Sequence, residues 1–386
     1  MKEITLKEIE QLNTGSYEII DIRDEAARDY GMIPGAIAIS FDEEGQDPEE
    51  KINEIPGDKK LIFYCDFGRK TRDLLYDRDF LAKRDCYSLE GGYTGYVTSK
   101  ISEFGDVLAK REKAEKSIQK KYHRQLFAPF AKACKTYKLI EEGDHIAVCI
   151  SGGKDSMLMA KLFQEIQKHK HCNFELTFLC MDPGYNKENR ALIESNAKAL
   201  GIPLTIFESE IFNAVDTIEK SPCYICARMR RGYLYSKAKE LGCNKIALGH
   251  HYDDVIETIL MGMLHGGQIQ TMMPKLHSTN FEGMELIRPL YLVRESDICT
   301  WRDYNDLHFL QCACHFTDTC STCHEDGTTS SKRLETKKLI ARLKEDNPFV
   351  EANIFKSVEN VNVDRVITYK KNGKKFNFLD EYCGED

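Results

Sequence analysis

The sequence of 386 residues contains no run of about 18 consecutive apolar residues, the length that a membrane-spanning helix requires. Its first segment, MKEITLKEIEQ, is polar and has no apolar core of a secretory signal. The sequence also shows no internal repeat and no long low-complexity tract. We therefore expect a cytoplasmic chain with no membrane partner, and the length predicts two or three domains.

A disulfide framework is also improbable, although the chain has fifteen cysteines. Their number is odd and the chain is not a small secreted scaffold, so thiol chemistry or metal ligation explains them better. Five cysteines lie among apolar residues and are predicted to serve packing alone. These are Cys134, Cys149, Cys172, Cys180 and Cys243.

An overall excess of basic residues, the usual mark of a nucleic-acid-binding protein, is missing, because the formal net charge is -8. The acidity belongs to residues 1–108, which hold 14 basic and 24 acidic side chains, whereas the remainder holds 40 and 38. Three basic clusters stand out there, at 110–124, 227–231 and 369–375. Each cluster either faces solvent or follows a phosphate backbone.

Short apolar strands alternate with segments of helical period, which predicts an α/β chain with two parallel sheets. The predicted strands are 17–23, 61–65 and 86–89 in a small sheet, and 145–150, 176–182, 204–209 and 245–250 in a larger one. The predicted domains are 1–100, a helical linker 101–140, 141–310, and a Cys-rich C-terminal region 311–386. Asn372-Gly373 predicts a hairpin turn in that last region.

The segment SGGKDS, from Ser151 to Ser156, follows a predicted strand directly and opens a predicted helix. Its glycines let the backbone approach an anion, and the start of a helix offers N–H groups to it. The spacing of a Walker A loop is absent. The segment therefore predicts a phosphate-binding loop of another kind.

Strand, SGGKDS and helix together resemble the PP-loop ATP pyrophosphatases, which cleave ATP between the α and β phosphates and adenylate a substrate oxygen. The resemblance implies that Lys154 neutralises phosphate charge, that Ser151 and Ser156 donate hydrogen bonds, and that Asp155 acts in catalysis and holds Mg²⁺. Other ligands are expected at the carboxyl edge of the sheet. The expected ATP-binding set is Ser151, Gly152, Gly153, Lys154, Asp155, Ser156, Asp182, Gly249, His250 and Asp254.

Cys223 and Cys226 form a CxxC pair whose thiolates can reach one metal or cluster, with three arginines nearby that favour the thiolate form. The spacing alone leaves three alternatives open. The pair could be a redox couple, half of a zinc site, or two thiols near the start of a helix.

Four segments resemble the tRNA 2-thiocytidine synthetase family over residues 120–315: LIEEGDHIAVCISGGKDS, CYICARMRRGYLYSKA, KIALGHHYDDVIETIL and IRPLYLVRESDI. In that family a CxxC and one downstream cysteine bind a 4Fe-4S cluster with one open iron, which implies Cys223, Cys226 and Cys312 as ligands. Further side chains nearby could build a separate zinc site, replace Cys312, or have no role. They are Cys314, His315, Cys320, Cys323 and His324.

The front domain resembles a single-domain rhodanese in DIRDEAARDYGMIPGAIAIS, LIFYCDFGRKT and LEGGYTGY. Cys65 ends a predicted strand before a helical segment, so backbone N–H groups and the helix dipole should lower the pKa of its thiol. The resemblance implies a catalytic persulfide on Cys65. Its loop would comprise Asp66, Gly68, Arg69 and Lys70. A CxxxxxR phosphatase loop does not fit, because Thr71 stands where the arginine is needed.

Together these motifs predict an ATP-dependent tRNA sulfurtransferase that adenylates a cytidine and forms 2-thiocytidine with sulfur from a rhodanese persulfide and a 4Fe-4S cluster. The expected cofactors are ATP, Mg²⁺ and that cluster, with zinc left open. The expected partners are tRNA, a persulfide donor such as a cysteine desulfurase, and a second copy in a homodimer. Two alternatives remain: a PP-loop thiolase acting on another tRNA pyrimidine or a small metabolite, and a non-catalytic iron-sulfur or zinc sensor that binds nucleotide.

Overall fold

The computed structural model describes residues 2–13, 15–29, 31–41, 48–71, 73, 81, 84–103, 107–209, 222–310 and 332–382. Within these residues, no helix has both the length and the apolar character that crossing a membrane requires. The described chain divides into two compact units, Met1–Tyr252 with Met273–Ser330, and Asp253–Met272 with Ser331–Asp386.

The first sheet of the larger unit has five parallel strands in the order β1-β5-β4-β2-β3. Its strands are β1 Glu3–Ile4, β2 Tyr17–Asp21, β3 Ile37–Ala38, β4 Lys60–Tyr64 and β5 Cys86–Leu89. Its described helices are α1 Leu6–Glu10, α2 Glu25–Asp29, α3 Pro48–Asn53 and α4 Gly92–Glu103. β4 is central, and Leu61 to Phe63 are fully buried, as expected for a strand that is covered on both faces. Cys65 therefore stands at the carboxyl edge of the sheet, in its middle.

A helical segment connects the two sheets. It consists of α5 Val107–Lys116, two successive π-helical turns, Ser117–Lys121 and His123–Phe127, and α6 Ala128–Thr136. Ser117 is buried at the first π-helical turn, where its Oγ accepts hydrogen bonds from Trp301 Nε1 (3.0 Å) and Asn305 Nδ2 (3.1 Å). These contacts fix the connecting segment against the domain that follows it.

The second sheet has six strands in the order β10-β11-β9-β6-β7-β8, and only β10 runs antiparallel to its neighbour. Its strands are β6 His145–Ile150, β7 Glu175–Asp182, β8 Leu204–Glu208, β9 Lys245–Ala247, β10 Lys275–His277 and β11 Glu285–Ile287. The helices that occur along the chain between β6 and residue 304 are α7 Lys154–Lys168, α8 Lys187–Leu200, α9 Pro222–Glu240, α10 Tyr252–Gly266 and α11 Glu295–Tyr304. The predicted α/β architecture is confirmed, and both sheets are parallel except at β10.

The smaller unit contains most of α10 together with the C-terminal elements. These elements are α12 Lys332–Asp346, α13 Val350–Ser357, a 3-10 turn at Val363–Arg365, strands β12 Thr368–Lys371 and β13 Lys374–Asn377, and α14 Leu379–Tyr382. β12 and β13 are antiparallel, and both residues of the turn between them have positive φ, 51° at Asn372 and 76° at Gly373. The predicted Asn-Gly hairpin is confirmed.

Glu115 joins three basic side chains where α5 approaches α7. Its carboxylate accepts hydrogen bonds from Lys161 Nζ at 2.8 Å, Lys168 Nζ at 2.9 Å and Arg111 Nε at 3.0 Å. Burial alone would raise the pKa of Glu115, but these hydrogen bonds outweigh it and lower the pKa to about 2. Because the pKa in the folded state lies below the ordinary value of 4.5, the stabilisation is complete above that value and is lost as the pH falls towards 2.

Glu115→Gln is expected to lower the free energy of unfolding at pH 7 by about 2 kcal/mol, because the buried Lys161 ammonium loses its carboxylate partner. Urea unfolding followed by tryptophan fluorescence measures this, since Trp301 is the single tryptophan and is fully buried. Glu112→Gln, which breaks the exposed ion pair with Lys116, is the matched control and should cost less than about 0.5 kcal/mol. Equal losses in the two variants would contradict the assignment.

Candidate active site

The SGGKDS loop leaves the carboxyl end of β6 and enters α7, as its sequence predicts. Gly153 caps α7 with extended backbone angles, and no described side chain caps that helix start. The two serines close the loop on itself: Ser156 Oγ donates to Gly153 O at 3.0 Å and accepts from Ser151 N at 3.2 Å. The loop therefore directs the start of α7 towards the carboxyl edge of the sheet, where an anion can be held.

Two glycines allow neighbouring elements to approach this loop closely. Gly152 has a φ of 85°, and a Cβ added there would lie 2.6 Å from Ile193 Cγ1 of α8. Gly249 follows β9, and a Cβ there would lie 3.2 Å from the backbone nitrogen of Ser156. A side chain at Gly152 would adopt a strained backbone conformation and also clash with α8. Glycine is therefore needed at Gly152, whereas a side chain at Gly249 would press on the start of α7.

Lys154 is the first residue of α7 and is 2% exposed. Its Nζ donates to Glu295 Oε1 at 3.0 Å and to Asp155 Oδ2 at 3.4 Å. His251 approaches the same carboxylate, with its Nε2 4.0 Å from Asp155 Oδ1. A buried ammonium between two carboxylates is held in one position.

Sequence reasoning did not single out Glu295, although it begins α11 and holds Lys154 from 141 residues away. The sequence did contain an indication of its importance, because Glu295 belongs to the segment LVRESDI, which carries part of the family resemblance. Cys299 follows one helical turn later and is half-buried. Burial raises the pKa of the Cys299 thiol despite the nearby Lys154, so it is a weak nucleophile at neutral pH.

Asp182 ends β7 at the expected edge, but its carboxylate is engaged within its own loop. Oδ1 accepts hydrogen bonds from the backbone nitrogens of Gly184 (2.9 Å) and Tyr185 (2.7 Å), and Oδ2 accepts from Arg190 NH1 (3.1 Å). Asp182 therefore shapes the turn between β7 and α8. A role in nucleotide binding stays a prediction.

The other predicted ligands follow β9. Gly249 and His250 lie in the larger unit, between β9 and α10, and His250 is half-buried. Asp254 lies in the smaller unit, where Arg333 NH1 donates to its Oδ1 at 2.9 Å and Arg333 Nε lies 3.4 Å from Glu257 Oε2. Their contribution to ATP binding stays a prediction.

The predicted cluster ligands are only partly within the described chain. Cys223 and Cys226 lie in the first turn and a half of α9, less than one helical turn apart along the backbone. The predicted third ligand, Cys312, lies outside the described residues, as do Cys314, Cys320 and Cys323. In the part of the chain that the structure describes, no group of three or more His, Cys, Asp or Glu side chains is arranged to hold a metal ion.

Most of the cysteines predicted to serve packing are buried. Cys134, Cys149, Cys180 and Cys243 are each at most 7% exposed, whereas Cys172 is half-buried. Burial raises the pKa of Cys149 and of Cys180 to about 12. These thiols stay protonated at neutral pH, which agrees with a packing role.

Cys65 begins a tight loop at the carboxyl end of β4. Its Sγ accepts a hydrogen bond from the backbone nitrogen of Gly68 at 3.1 Å and lies 3.8 Å from Thr71 Oγ1. Gly68 has a φ of 81°, and its carbonyl accepts from Thr71 Oγ1 at 2.8 Å. The loop thus turns back over the sulfur and offers it a backbone donor. The predicted lowering of the Cys65 pKa stays a prediction.

Arg69 of the same loop faces a cavity of about 490 Å³. Residues from both sheets' domains line this cavity: Thr5, Leu6, Phe67, Arg69, Glu90, Gly91, Asn186 and Glu188. Asn186 is the N-cap of α8, the helix whose Ile193 contacts the SGGKDS loop. α8 thus extends from this cavity, at its N-cap, to the SGGKDS loop, at Ile193 near its middle.

Comparisons with known proteins identify a family for each of the two regions that contain these loops. A family described as PP-loop domain matches residues 117–314, and the Rhodanese-like domain family matches residues 6–99. The tRNA-cytidine(32) 2-sulfurtransferase of Syntrophotalea carbinolica is 32% identical over 247 residues, 63% of this chain and 92% of that protein. A protein of the same name from Geotalea uraniireducens is 34% identical over 246 residues, 62% of this chain and 93% of that protein. A solved structure, the U34-tRNA thiolase NcsA from Methanococcus maripaludis with its 4Fe-4S cluster, is 22% identical with a TM-score of 0.48, covering 60% of this chain and 76% of that one.

Proposed function

We propose, because the chain belongs to the PP-loop family of the tRNA-cytidine(32) 2-sulfurtransferases and carries a rhodanese-like domain, that it converts cytidine 32 of tRNA to 2-thiocytidine. ATP activates the base, and AMP and pyrophosphate are released. The observation that carries the proposal is the SGGKDS loop, with Lys154 buried and held by Glu295 at the carboxyl edge of the sheet.

In this proposal the loop binds ATP at the start of α7. The backbone around Gly152 and Gly153 and the hydroxyl groups of Ser151 and Ser156 face the phosphates, and Lys154 balances their charge. Asp155 would hold Mg²⁺, whose oxygen-ligand preference a carboxylate satisfies and whose charge would stabilise the pyrophosphate that leaves. The oxygen at C2 of cytidine attacks the α phosphate, and the activated base then exchanges that oxygen for sulfur.

Cys65 is the proposed entry point for sulfur. A persulfide on Cys65 would meet the backbone nitrogen of Gly68, which already donates to the sulfur, and Arg69 of the same loop would place positive charge at the cavity that it lines. Ile193 of α8 lies against Gly152 of the SGGKDS loop, and the N-cap of α8, Asn186, lines the same cavity as Arg69 of the Cys65 loop, which supports transfer of sulfur between the two loops. Release of sulfur at the oxidation state of sulfide consumes two electrons, which a thiol reductant supplies.

In the proposal, Cys223 and Cys226 of α9, together with Cys312, would hold a 4Fe-4S cluster. Such a cluster would supply iron chemistry for handling sulfur at the oxidation state of sulfide. The close spacing of Cys223 and Cys226 on one helix supports shared ligation, and the arginines that follow the pair in sequence, Arg228, Arg230 and Arg231, would favour thiolates. Zinc on Cys314, Cys320 and Cys323 stays one alternative, beside replacement of Cys312 as a ligand and the absence of any role. A persulfide donor such as a cysteine desulfurase and a homodimer belong to the proposal as well.

Dependence of pyrophosphate release on tRNA tests the proposed substrate. With ATP, Mg²⁺ and the anaerobically purified chain, an unmodified tRNA transcript is expected to stimulate release at least about ten-fold, because the attacking oxygen belongs to the RNA. A transcript with uridine in place of cytidine 32 is the matched control and should not stimulate. Equal release with and without tRNA would contradict the proposal and favour a small metabolite as acceptor.

A further inference from the structure

The basic cluster between residues 110 and 124 covers an exposed face of the connecting helical segment. Some of its cations are already neutralised: Arg111 pairs with Glu115, and Lys116 with Glu112. Four others are exposed and form no ion pair with any residue that the structure describes. These four are Lys113, Lys120, Lys121 and Arg124. Positive charge without a carboxylate partner is therefore concentrated on this face.

An exposed aromatic ring stands among these cations. Tyr304 is 41% exposed, with Lys121 Nζ 3.6 Å and Lys113 Nζ 5.2 Å from its ring centroid. The buried Tyr122 supports the ring edge-on, at a centroid distance of 5.6 Å. A supported ring flanked by two ammonium groups is the combination that binds single-stranded nucleic acid, since bases stack on the ring and phosphates pair with the cations.

The backbone beneath this face is unusual. The segment makes two successive π-helical turns, Ser117–Lys121 and His123–Phe127, and such turns are rare and occur often at functional sites. Ser117 in the first of them accepts hydrogen bonds from Trp301 and Asn305. The backbone segments that carry Tyr304 and these lysines are thus joined by hydrogen bonds, which lowers the entropy cost of binding.

The position of this face along α11 connects it with the ATP loop. Glu295 at the start of α11 holds Lys154, and Tyr304 is the last residue of the same helix. The rise of an α-helix places these two ends about 14 Å apart, a length that about four stacked nucleotides span. A strand of RNA in contact with Tyr304 can therefore extend to the nucleotide site.

We propose that Lys113, Lys120, Lys121, Arg124 and Tyr304, named here the basic–aromatic surface, bind the tRNA strand next to the base that is modified. The inference rests on the proposed function. The four cations contact phosphates, and the ring of Tyr304 stacks on one base of a single-stranded part of the tRNA. An acidic protein would also be attracted by the lysines, but the ring flanked by cations favours an RNA strand.

The test measures binding of tRNA to the full chain by filter binding at several salt concentrations. In the double variant Lys113→Gln/Lys121→Gln, the Kd is expected to rise about ten-fold. The slope of the logarithm of the association constant against the logarithm of the salt concentration should become less negative by about 1.5. Tyr304→Ala is expected to raise the Kd about ten-fold with little change in slope, whereas Tyr304→Phe, which keeps the ring, should bind like the wild type.

Lys132→Gln/Lys135→Gln removes the same charge from exposed positions on α6 and serves as the matched control. Its Kd is expected to stay within two-fold of the wild type. An unchanged fluorescence spectrum of the buried Trp301 shows that each variant is folded. An equal loss in the control double variant, or binding by Tyr304→Ala equal to that of the wild type, overturns the inference. Stimulation of pyrophosphate release by tRNA in the wild type is measured in parallel, because its absence would refute the proposed function itself.

Discussion

Lys154→Ala is expected to reduce tRNA-dependent pyrophosphate release at least about 100-fold, because the variant removes the one cation that the structure places inside the SGGKDS loop. The charge that develops on the departing pyrophosphate needs a positive partner that is already in position. Lys154 meets this requirement, since it is 2% exposed and its Nζ is fixed 3.0 Å from Glu295 Oε1. Initial rates at saturating and at limiting ATP separate the loss in kcat from the loss in KM.

Two further variants test whether the loss of pyrophosphate release in Lys154→Ala depends on where the removed cation lies. Lys168→Ala, at the other end of α7, should leave the rate within two-fold of the wild type. Glu295→Gln keeps the cation but loses the carboxylate that positions it, so we expect a smaller loss of about ten-fold. A wild-type rate in Lys154→Ala would contradict the assignment of this loop as the ATP site.

Cys65→Ser is expected to reduce formation of 2-thiocytidine at least about 100-fold when the sulfur source is thiosulfate or a protein persulfide. A serine hydroxyl cannot carry sulfane sulfur, and in the proposed sequence sulfur enters the chain at Cys65. The exchange of labelled pyrophosphate into ATP should continue in this variant, because that reaction uses the SGGKDS loop and not the Cys65 loop. The two measurements together separate sulfur delivery from ATP activation.

A cysteine of the same domain supplies the matched control. Cys86 is half-buried, and burial raises the pKa of its thiol to about 11, so it is protonated and unreactive at pH 8. Cys86→Ser should therefore form 2-thiocytidine like the wild type. Excess inorganic sulfide should restore product in Cys65→Ser because it bypasses the persulfide. Full activity of Cys65→Ser with thiosulfate would show that sulfur reaches the site without the rhodanese-like domain.

The sequence predicted two strands with the bounds that the structure shows. The apolar run HIAVCI coincides with β6, whose last five residues are buried, and CYSL coincides with β5. Strands β10 and β11 were not predicted, because three residues are too few to show a period. The π-helical turns were also missed, since ordinary helical spacing does not distinguish them.

The predicted PP-loop and rhodanese-like domains are confirmed by the family matches. What sequence reasoning missed is the set of partners that hold the site. Glu295 is 141 residues from Lys154, and only the fold brings the two together. Asp182 was expected at the sheet edge, but the sequence did not reveal that Gly184, Tyr185 and Arg190 already engage its carboxylate. Local patterns identify residue types suited to a reaction, whereas long-range packing decides how those residues are paired.

The central claim is that ATP activation at the SGGKDS loop and sulfur from Cys65 act in one reaction on tRNA. Nucleoside analysis by mass spectrometry tests it after an unmodified tRNA is incubated with ATP, Mg²⁺, thiosulfate, a thiol reductant and the anaerobically purified chain. The account predicts 2-thiocytidine at position 32, formed with about one AMP per sulfur inserted and absent in both Lys154→Ala and Cys65→Ser. Consumption of ATP with a tRNA that contains no 2-thiocytidine would contradict it.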